Sequence, residues 1–160
     1  MPKSAKKSAP NSSSTSSSYL RLLWLLPVAL VGAGGIGVAA MMQPPPADLD
    51  LSLTRPTEHG LYVGTLEPGV SPIPVGTMQT WTVAVTAPDG TPLEHAELSI
   101  DGGMPQHGHG LPTEPQVTEE LGGGRYRVEG MKFNMPGWWT IKLEVAGPAG
   151  TDSATFNLTL

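Results

Sequence analysis

"WWTIKLEVAG", residues 138–147, is the stretch that decides the fold. Apolar residues at positions 139, 141, 143 and 145 alternate with polar or charged residues at 140, 142 and 144. Alternation with a period of two is typical of a β-strand with one buried face and one exposed face. Trp139 shares its phase with Ile141 and Leu143, so we expect it in the core. Its neighbour Trp138 then faces outward and is a candidate contact for a partner protein, with partial burial under a loop as the alternative.

The same alternation recurs along the chain after residue 50. It is clear in residues 81–85, 96–100, 126–128 and 154–160, and weaker strands are expected at 60–66 and 115–120. Turns rich in glycine and proline separate these runs, and no segment after residue 43 has a helical period. About seven short antiparallel strands in roughly 110 residues predict an all-β, immunoglobulin-like sandwich. The chain has no cysteine, which excludes an antibody-type disulfide.

Three segments of different composition precede this β-sandwich. Residues 1–19 are basic and then serine-rich, and they predict a disordered cytoplasmic tail. Residues 20–42 predict a transmembrane helix, because about 20 apolar residues cross the hydrocarbon core and the run 22–42 carries no charge. Residues 43–50 form a proline-rich linker, and 51–160 the sandwich.

The charges that flank the apolar run indicate its orientation. Four basic residues precede it and all acidic residues follow it, so the positive-inside rule places the N-terminus in the cytoplasm. The sandwich then lies on the extracytoplasmic side of a single-pass membrane protein. A signal peptide cleaved near residues 38–40 is the alternative.

The charge and the missing motifs exclude some classes of function. After residue 43 there are five basic and 14 acidic residues, a net charge of −9, which should repel nucleic acids. The chain has no GxSxG elbow, phosphate loop, HExxH or dinucleotide fingerprint. We therefore predict neither nucleic-acid binding nor an enzymatic activity.

A histidine-containing segment, "GGMPQHGHGLP" at residues 102–112, is the candidate metal site. If this segment is extended, His107 and His109 project to the same side, with Gly108 between them. Both imidazoles could then hold one cation. Imidazole suits copper, zinc and nickel, whereas thioether sulfur selects copper, chiefly Cu(I).

Methionines near this segment favour copper. Met104 precedes His107 by three residues, and Met104 and Met135 are the expected additional ligands, with Met131 as a further candidate. Zinc would need more histidine or carboxylate ligands. The candidates for those ligands are Asp101, His95 and His59. A site without metal remains the third interpretation, because methionines in a sandwich often fill gaps in the core.

Two segments of the chain together resemble a known group of domains. "GGMPQHGHG" followed by "GGGRYRVEGMKFNMPGWWTIKLEV" resembles FixH-like and YtkA-like domains over about residues 61–146. The shared pattern is M-P-x-H-x-H-G, then G-x-Y-x-V-x-G-[ML]-x-F-x-M-P-G-x-W. It is carried here by Met104, Pro105, His107, His109, Gly110, Gly124, Tyr126, Val128, Gly130, Met131, Phe133, Met135, Pro136, Gly137 and Trp139.

The resemblance implies an immunoglobulin-like sandwich in a bacterial, mostly extracytoplasmic setting, often tethered by one N-terminal span, and a link to copper handling. FixH proper is associated with the assembly of haem–copper oxidases. This chain departs from FixH proper in its long serine-rich tail and in the His-x-His segment, so a role in oxidase assembly does not transfer directly.

The residues and the resemblance together predict a membrane-tethered periplasmic copper-binding protein. It would hand copper to a partner without catalysis, as a copper chaperone or as an assembly factor for a membrane metalloenzyme such as a haem–copper oxidase. The alternative is a metal-free, tethered, immunoglobulin-like subunit that uses Trp138 and nearby loops to contact a membrane complex. A sandwich that binds a small molecule is a third interpretation.

Overall fold

The computed structural model describes residues 45–160, which contain nine β-strands and no helix. The strands are β1 (Thr54–Pro56), β2 (Val63–Pro68), β3 (Gln79–Thr86), β4 (Glu97–Met104), β5 (His109–Gly110), β6 (Gln116–Gly122), β7 (Arg125–Met131), β8 (Trp138–Gly147) and β9 (Gly150–Thr159). They form a five-stranded sheet in the order β1-β2-β3-β7-β6 and a four-stranded sheet in the order β5-β4-β8-β9. Every pairing is antiparallel. The prediction of an all-β antiparallel sandwich is confirmed.

The core lies between the two sheets and follows the alternation seen in the sequence. In β8, the side chains at positions 139, 141, 143 and 145 are fully buried, while Lys142 and Glu144 are exposed. β3 and β9 bury alternate residues in the same way. Where the sheets meet, Gly64 of β2 leaves room for the Leu143 side chain, since an added Cβ would lie 2.8 Å from it. The prediction that Trp139 is a core residue is confirmed.

The strand count of nine exceeds the predicted seven because two edge strands are very short. β1 has three residues and β5 has two, too few to show an alternating pattern. β4 is also longer than expected, since it continues through Gly102 and Gly103. An added Cβ on Gly102 would lie 2.7 Å from the Ile141 side chain, so glycine serves close packing here and does not break the strand.

Residues 45–160 belong to one compact unit, and every fully buried core residue lies from Tyr62 to Leu158. The sandwich therefore has a core of its own. Within residues 45–160 no helix is long and apolar enough to cross a membrane. The predicted tail (1–19) and span (20–42) lie outside the described residues.

Candidate functional site

One end of the sandwich, which we call the methionine end, is where β3 and β8 begin and where β4 and β7 end. All four methionines of the described part of the chain lie at this end: Met78, Met104, Met131 and Met135. The register explains this placement, because Gln79 pairs with Met131 in one sheet and Gly103 pairs with Thr140 in the other, at the strand ends that form this end of the sandwich. The loop 132–137 then connects one sheet to the other across this end.

His107 and His109 also lie at the methionine end, where His107 is in the tight turn between β4 and β5 and His109 begins β5. The carbonyl oxygen of Met104 accepts hydrogen bonds from the backbone N–H groups of His107 and Gly108, at 3.0 and 2.9 Å. Gly108 has a φ of +66°, which glycine adopts without strain. The expectation of an extended His-x-His segment is therefore wrong, because the chain turns at Gly108.

The turn nevertheless brings the two imidazoles together. Their ring centroids are 5.9 Å apart, with an angle of 31° between the ring planes. Two imidazoles that bind one metal ion at about 2.0–2.1 Å have ring centres at most about 6 Å apart. The spacing thus fits a shared ion. His107 is exposed and His109 is half-buried, so the pair is open to solvent on one side.

His109 is held in a defined orientation by two contacts. Its Nδ1 lies 3.0 Å from the carbonyl oxygen of Gly110. A carbonyl oxygen can only accept, so Nδ1 donates to it, and in the neutral ring Nε2 is the nitrogen with the free lone pair. Metal-binding histidines commonly donate their second ring N–H to such a carbonyl. The His109 ring also meets the buried indole of Trp139 edge to face, with centroids 5.7 Å apart.

The three candidate methionines differ in their surroundings. Met104 is almost wholly buried and pairs with His109 in the ladder between β4 and β5. Met135 is half-buried in the loop 132–137, and its carbonyl oxygen accepts the indole N–H of Trp139 at 3.1 Å. Met131 is buried at the end of β7, in the sheet that does not contain the histidines.

Trp138, the candidate partner contact, is half-buried, and its indole N–H donates to the side-chain oxygen of Asn157 at 3.1 Å. Trp139 is a neighbour of the candidate site that the sequence did not reveal. Its alternation predicts burial, but no sequence signal shows that its indole touches His109.

The other two histidines lie at the opposite end of the sandwich. His95 precedes β4, whose eight residues span about 25 Å, and its Nδ1 is 3.1 Å from Glu120. His59 is paired with Asp152, which faces Val145 in the ladder. Asp101 accepts a hydrogen bond from the N–H of Gly102. In residues 45–160 no group of three or more histidine, aspartate or glutamate side chains is placed to hold a metal ion.

The pair formed by His59 and Asp152 has a structural explanation. Burial alone would raise the pKa of Asp152, but hydrogen bonds from the side chains of Thr57 and His59 and from the N–H groups of Ser153 and Leu61 outweigh it. The pKa of Asp152 is therefore held well below its usual range. The hydrogen bond to Asp152 and the negative charge of the Asp152 carboxylate raise the pKa of His59. The pair fastens the loop between β1 and β2 to β9.

An exposed loop between β2 and β3, residues 69–78, completes the methionine end. Its backbone is fixed by a hydrogen bond of 2.7 Å from the N–H of Gly76 to the carbonyl oxygen of Phe133. No charged residue occurs between Glu67 and Asp89. Three large apolar side chains of this loop are exposed: Val70 by 56%, Val75 by 39% and Met78 by 58%. We call these three side chains the apolar patch.

Comparison with known families identifies the chain. The sequence model of the YtkA-like family matches residues 65–144, which is half of the 160 residues. The chain belongs to the YtkA-like family. In this YtkA-like domain the matched residues run from β2 into β8 and include the hairpin that carries His107 and His109.

Among solved structures, a DUF4426 family protein from Pseudomonas aeruginosa is similar to the YtkA-like chain, with 13% sequence identity and a TM-score of 0.48. The alignment covers 68% of this chain and 94% of that one. No curated protein matches the chain.

Proposed function

We propose that this YtkA-like protein binds copper between His107 and His109. The observation that carries the proposal is the pair of imidazoles 5.9 Å apart on a tight turn, with His109 oriented by the carbonyl oxygen of Gly110. Copper accepts imidazole nitrogen and thioether sulfur. Met104 and Met135 are the proposed further ligands, since both lie beside His109 or its neighbour Trp139. Met131 is left out of the proposed ligand set because it is buried at the end of β7, in the other sheet.

The exposure of the site favours transport of copper over catalysis. His107 is exposed and sits on a four-residue turn, so an incoming ligand can replace it without opening the core. A carrier needs such exchangeable ligands, whereas the buried Met104 keeps the ion in place between transfers. The protein would thus act as a copper chaperone or as an assembly factor for a membrane metalloenzyme.

The proposed setting is the bacterial inner membrane, with residues 20–42 as a single span and the sandwich, taken as immunoglobulin-like, in the periplasm. The resemblance to FixH-like domains makes a haem–copper oxidase one acceptor to test. The chain has no cysteine, so topology can be measured with single Ser12→Cys and Ser99→Cys variants in intact cells. A membrane-impermeant maleimide should label position 99 and spare position 12. Labelling of position 12 with protection of position 99 would contradict this orientation.

The copper proposal is tested by titrating the purified full-length chain with Cu(I) and with Cu(II), against the His107→Ala/His109→Ala double variant. We expect one copper ion to bind the wild type at micromolar or lower concentration and binding to disappear in the double variant. His95→Asn is the matched control, because His95 is an exposed histidine at the opposite end, and Asn tolerates its φ of +56°. Equal weak binding by the wild type and the double variant would overturn the proposal.

A metal-free interaction subunit is the second candidate, and the apolar patch favours it. Exposed apolar side chains on an uncharged loop are a feature of contact surfaces. The test is photo-crosslinking in cells from an unnatural amino acid at position 75, with position 99 on the exposed face of β4 as control. A discrete crosslinked protein from position 75 alone, combined with no metal binding, would establish this function in place of copper handling.

A further inference from the structure

We propose that the site holds copper as Cu(I) and that Met104 is the ligand that selects this oxidation state. The inference rests on the proposed copper function and adds its specificity. It gives Met104, already one of the proposed ligands, the role of selecting the oxidation state.

The register of the β4–β5 ladder places Met104 beside His109. The two residues are direct partners across the antiparallel pair. Directly opposed residues project to the same face, with Cβ atoms about 4.5–5.5 Å apart. Met104 and His109 therefore project side by side to the same face, where Met104 is almost wholly buried and His109 half-buried, while His107 is exposed.

The Met104 side chain is confined by the loop that carries Met135. An added Cβ on Gly137 would lie 2.8 Å from the terminal methyl group of Met104. The absence of a side chain at Gly137 thus leaves the space that the thioether occupies. Trp139 joins this loop to the histidine, since its ring contacts His109 and its indole N–H donates to the carbonyl oxygen of Met135.

The donor atoms at this end suit Cu(I) better than Cu(II) or zinc. Cu(II) favours square-planar sites of nitrogen and oxygen, and zinc favours a full set of imidazole, carboxylate or thiolate ligands. His59 and His95 are held at the opposite end by Asp152 and Glu120. The carboxylate of Asp101 is engaged with the adjacent N–H. What the methionine end offers beyond two imidazoles is thioether sulfur, which selects Cu(I).

The experiment compares oxidation states and variants in the full-length chain. Cu(I) affinity is measured anaerobically by competition with a coloured Cu(I) chelator, and Cu(II) affinity in air with a Cu(II) chelator. The variants are Met104→Leu and Met131→Leu, which replace equally buried methionines by a side chain of similar volume. Met131→Leu is the matched control because Met131 lies in the other sheet.

We expect the wild type to bind Cu(I) more tightly than Cu(II). Met104→Leu should weaken Cu(I) binding by at least about tenfold and leave Cu(II) binding unchanged. Removal of a residue that only supports a metal ligand already costs about tenfold or more in affinity, so loss of a ligand should cost at least as much. Met131→Leu should change neither. A wild type that prefers Cu(II), or Met104→Leu with unchanged Cu(I) affinity, would overturn the inference while the copper function stands. Failure of the wild type to bind either ion would overturn both.

X-ray absorption of the Cu(I)-loaded wild type gives an answer that does not depend on the folding of a variant. Because the chain has no cysteine, any sulfur bound to copper comes from methionine. A sulfur neighbour in the spectrum supports the inference, and its disappearance in Met104→Leu assigns it. A first shell of nitrogen and oxygen alone would refute it.

Discussion

Replacing Phe133 by leucine should weaken the connection between the core and the methionine end. Phe133 is fully buried, and its ring centroid lies 5.9 Å from that of Trp81 and 5.2 Å from that of Trp139. The second contact is edge to face, with an interplanar angle of 74°. Leucine keeps most of the buried apolar surface but loses both ring contacts, so the substitution isolates their contribution.

The expected cost follows from the two contacts. An aromatic pair contributes about 0.5–1.5 kcal/mol beyond the burial of its surface. Two pairs give a loss of about 1–3 kcal/mol in the free energy of unfolding. For a domain of this size each kcal/mol lowers the melting temperature by about 3–5 °C.

The assay is urea unfolding of the isolated sandwich, residues 44–160, followed by tryptophan fluorescence and circular dichroism. Phe156→Leu is the matched control, because Phe156 is the only other phenylalanine in the chain and is equally buried. The Arg55 guanidinium lies 5.8 Å from its ring centroid, a contact that contributes about 0.5–1 kcal/mol. The control should therefore lose less stability than Phe133→Leu.

The reasoning fails if Phe133→Leu costs no more than Phe156→Leu. The ring contacts would then add nothing to simple burial, and Trp139 would need no support from Phe133. An unchanged slope of free energy against urea concentration is required for the comparison, because it shows that the unfolded states are alike.

Three further predictions concern other parts of the sandwich and are also measured by unfolding of residues 44–160. Gly124→Ala should destabilise more than Gly123→Ala: both glycines have positive φ, which costs alanine about 1–2 kcal/mol, but only at Gly124 would the new Cβ clash, 2.5 Å from a carbonyl oxygen. Tyr126→Phe should cost about 1–3 kcal/mol, because the buried hydroxyl donates to one backbone carbonyl and accepts from one backbone N–H; a change below 0.5 kcal/mol, on the order of the scatter of surface substitutions, would contradict this. Asp152→Asn should remove a pH dependence. Because the pKa of Asp152 is lowered in the folded protein, this carboxylate stabilises the fold above pH 3.8, its ordinary pKa, and the stabilisation is lost as the pH falls. Because the pKa of His59 is raised, this imidazole stabilises the fold below pH 6.5, its ordinary pKa, and the stabilisation is lost as the pH rises. The free energy of unfolding of the wild type should therefore exceed that of Asp152→Asn by the largest amount between pH 3.8 and pH 6.5. A difference between the two proteins that does not vary with pH would contradict the role of the pair.

The longest strands could be predicted from the sequence because alternation needs length to be visible. β3, β8 and β9 have eight to ten residues and bury every second one. The two-residue β5 has no such signal and forms because β4 offers a free edge beside it. The predicted strand ends at residue 100, yet β4 continues through Gly102 and Gly103. Glycine is needed at both positions because an added side chain would collide with a neighbouring residue.

The candidate site was only partly predictable for the same reason. Local spacing identified His107 and His109 as neighbours, although the assumed extended backbone was wrong and a turn brings the rings together. The contact between His109 and Trp139 joins residues 30 positions apart and depends on the pairing of β4 with β8, which local patterns do not contain. The ion pair of His59 with Asp152 spans 93 positions and is invisible for the same reason.

The physical chemistry of the two side chains explains why Met104 is buried and His107 is exposed. A thioether has no strong donor or acceptor, so it can be packed in the core without a partner and without the cost of burying an unsatisfied polar group. An imidazole lacks this freedom and remains near solvent or, like His109, bonded to a carbonyl oxygen. Core packing therefore fixes the sulfur side of the proposed site before any metal binds, while His107 is exposed on the turn that contains Gly108. In this proposal a metal ion would meet a preformed half-site, and its release would begin at His107, the proposed ligand whose departure exposes no core surface.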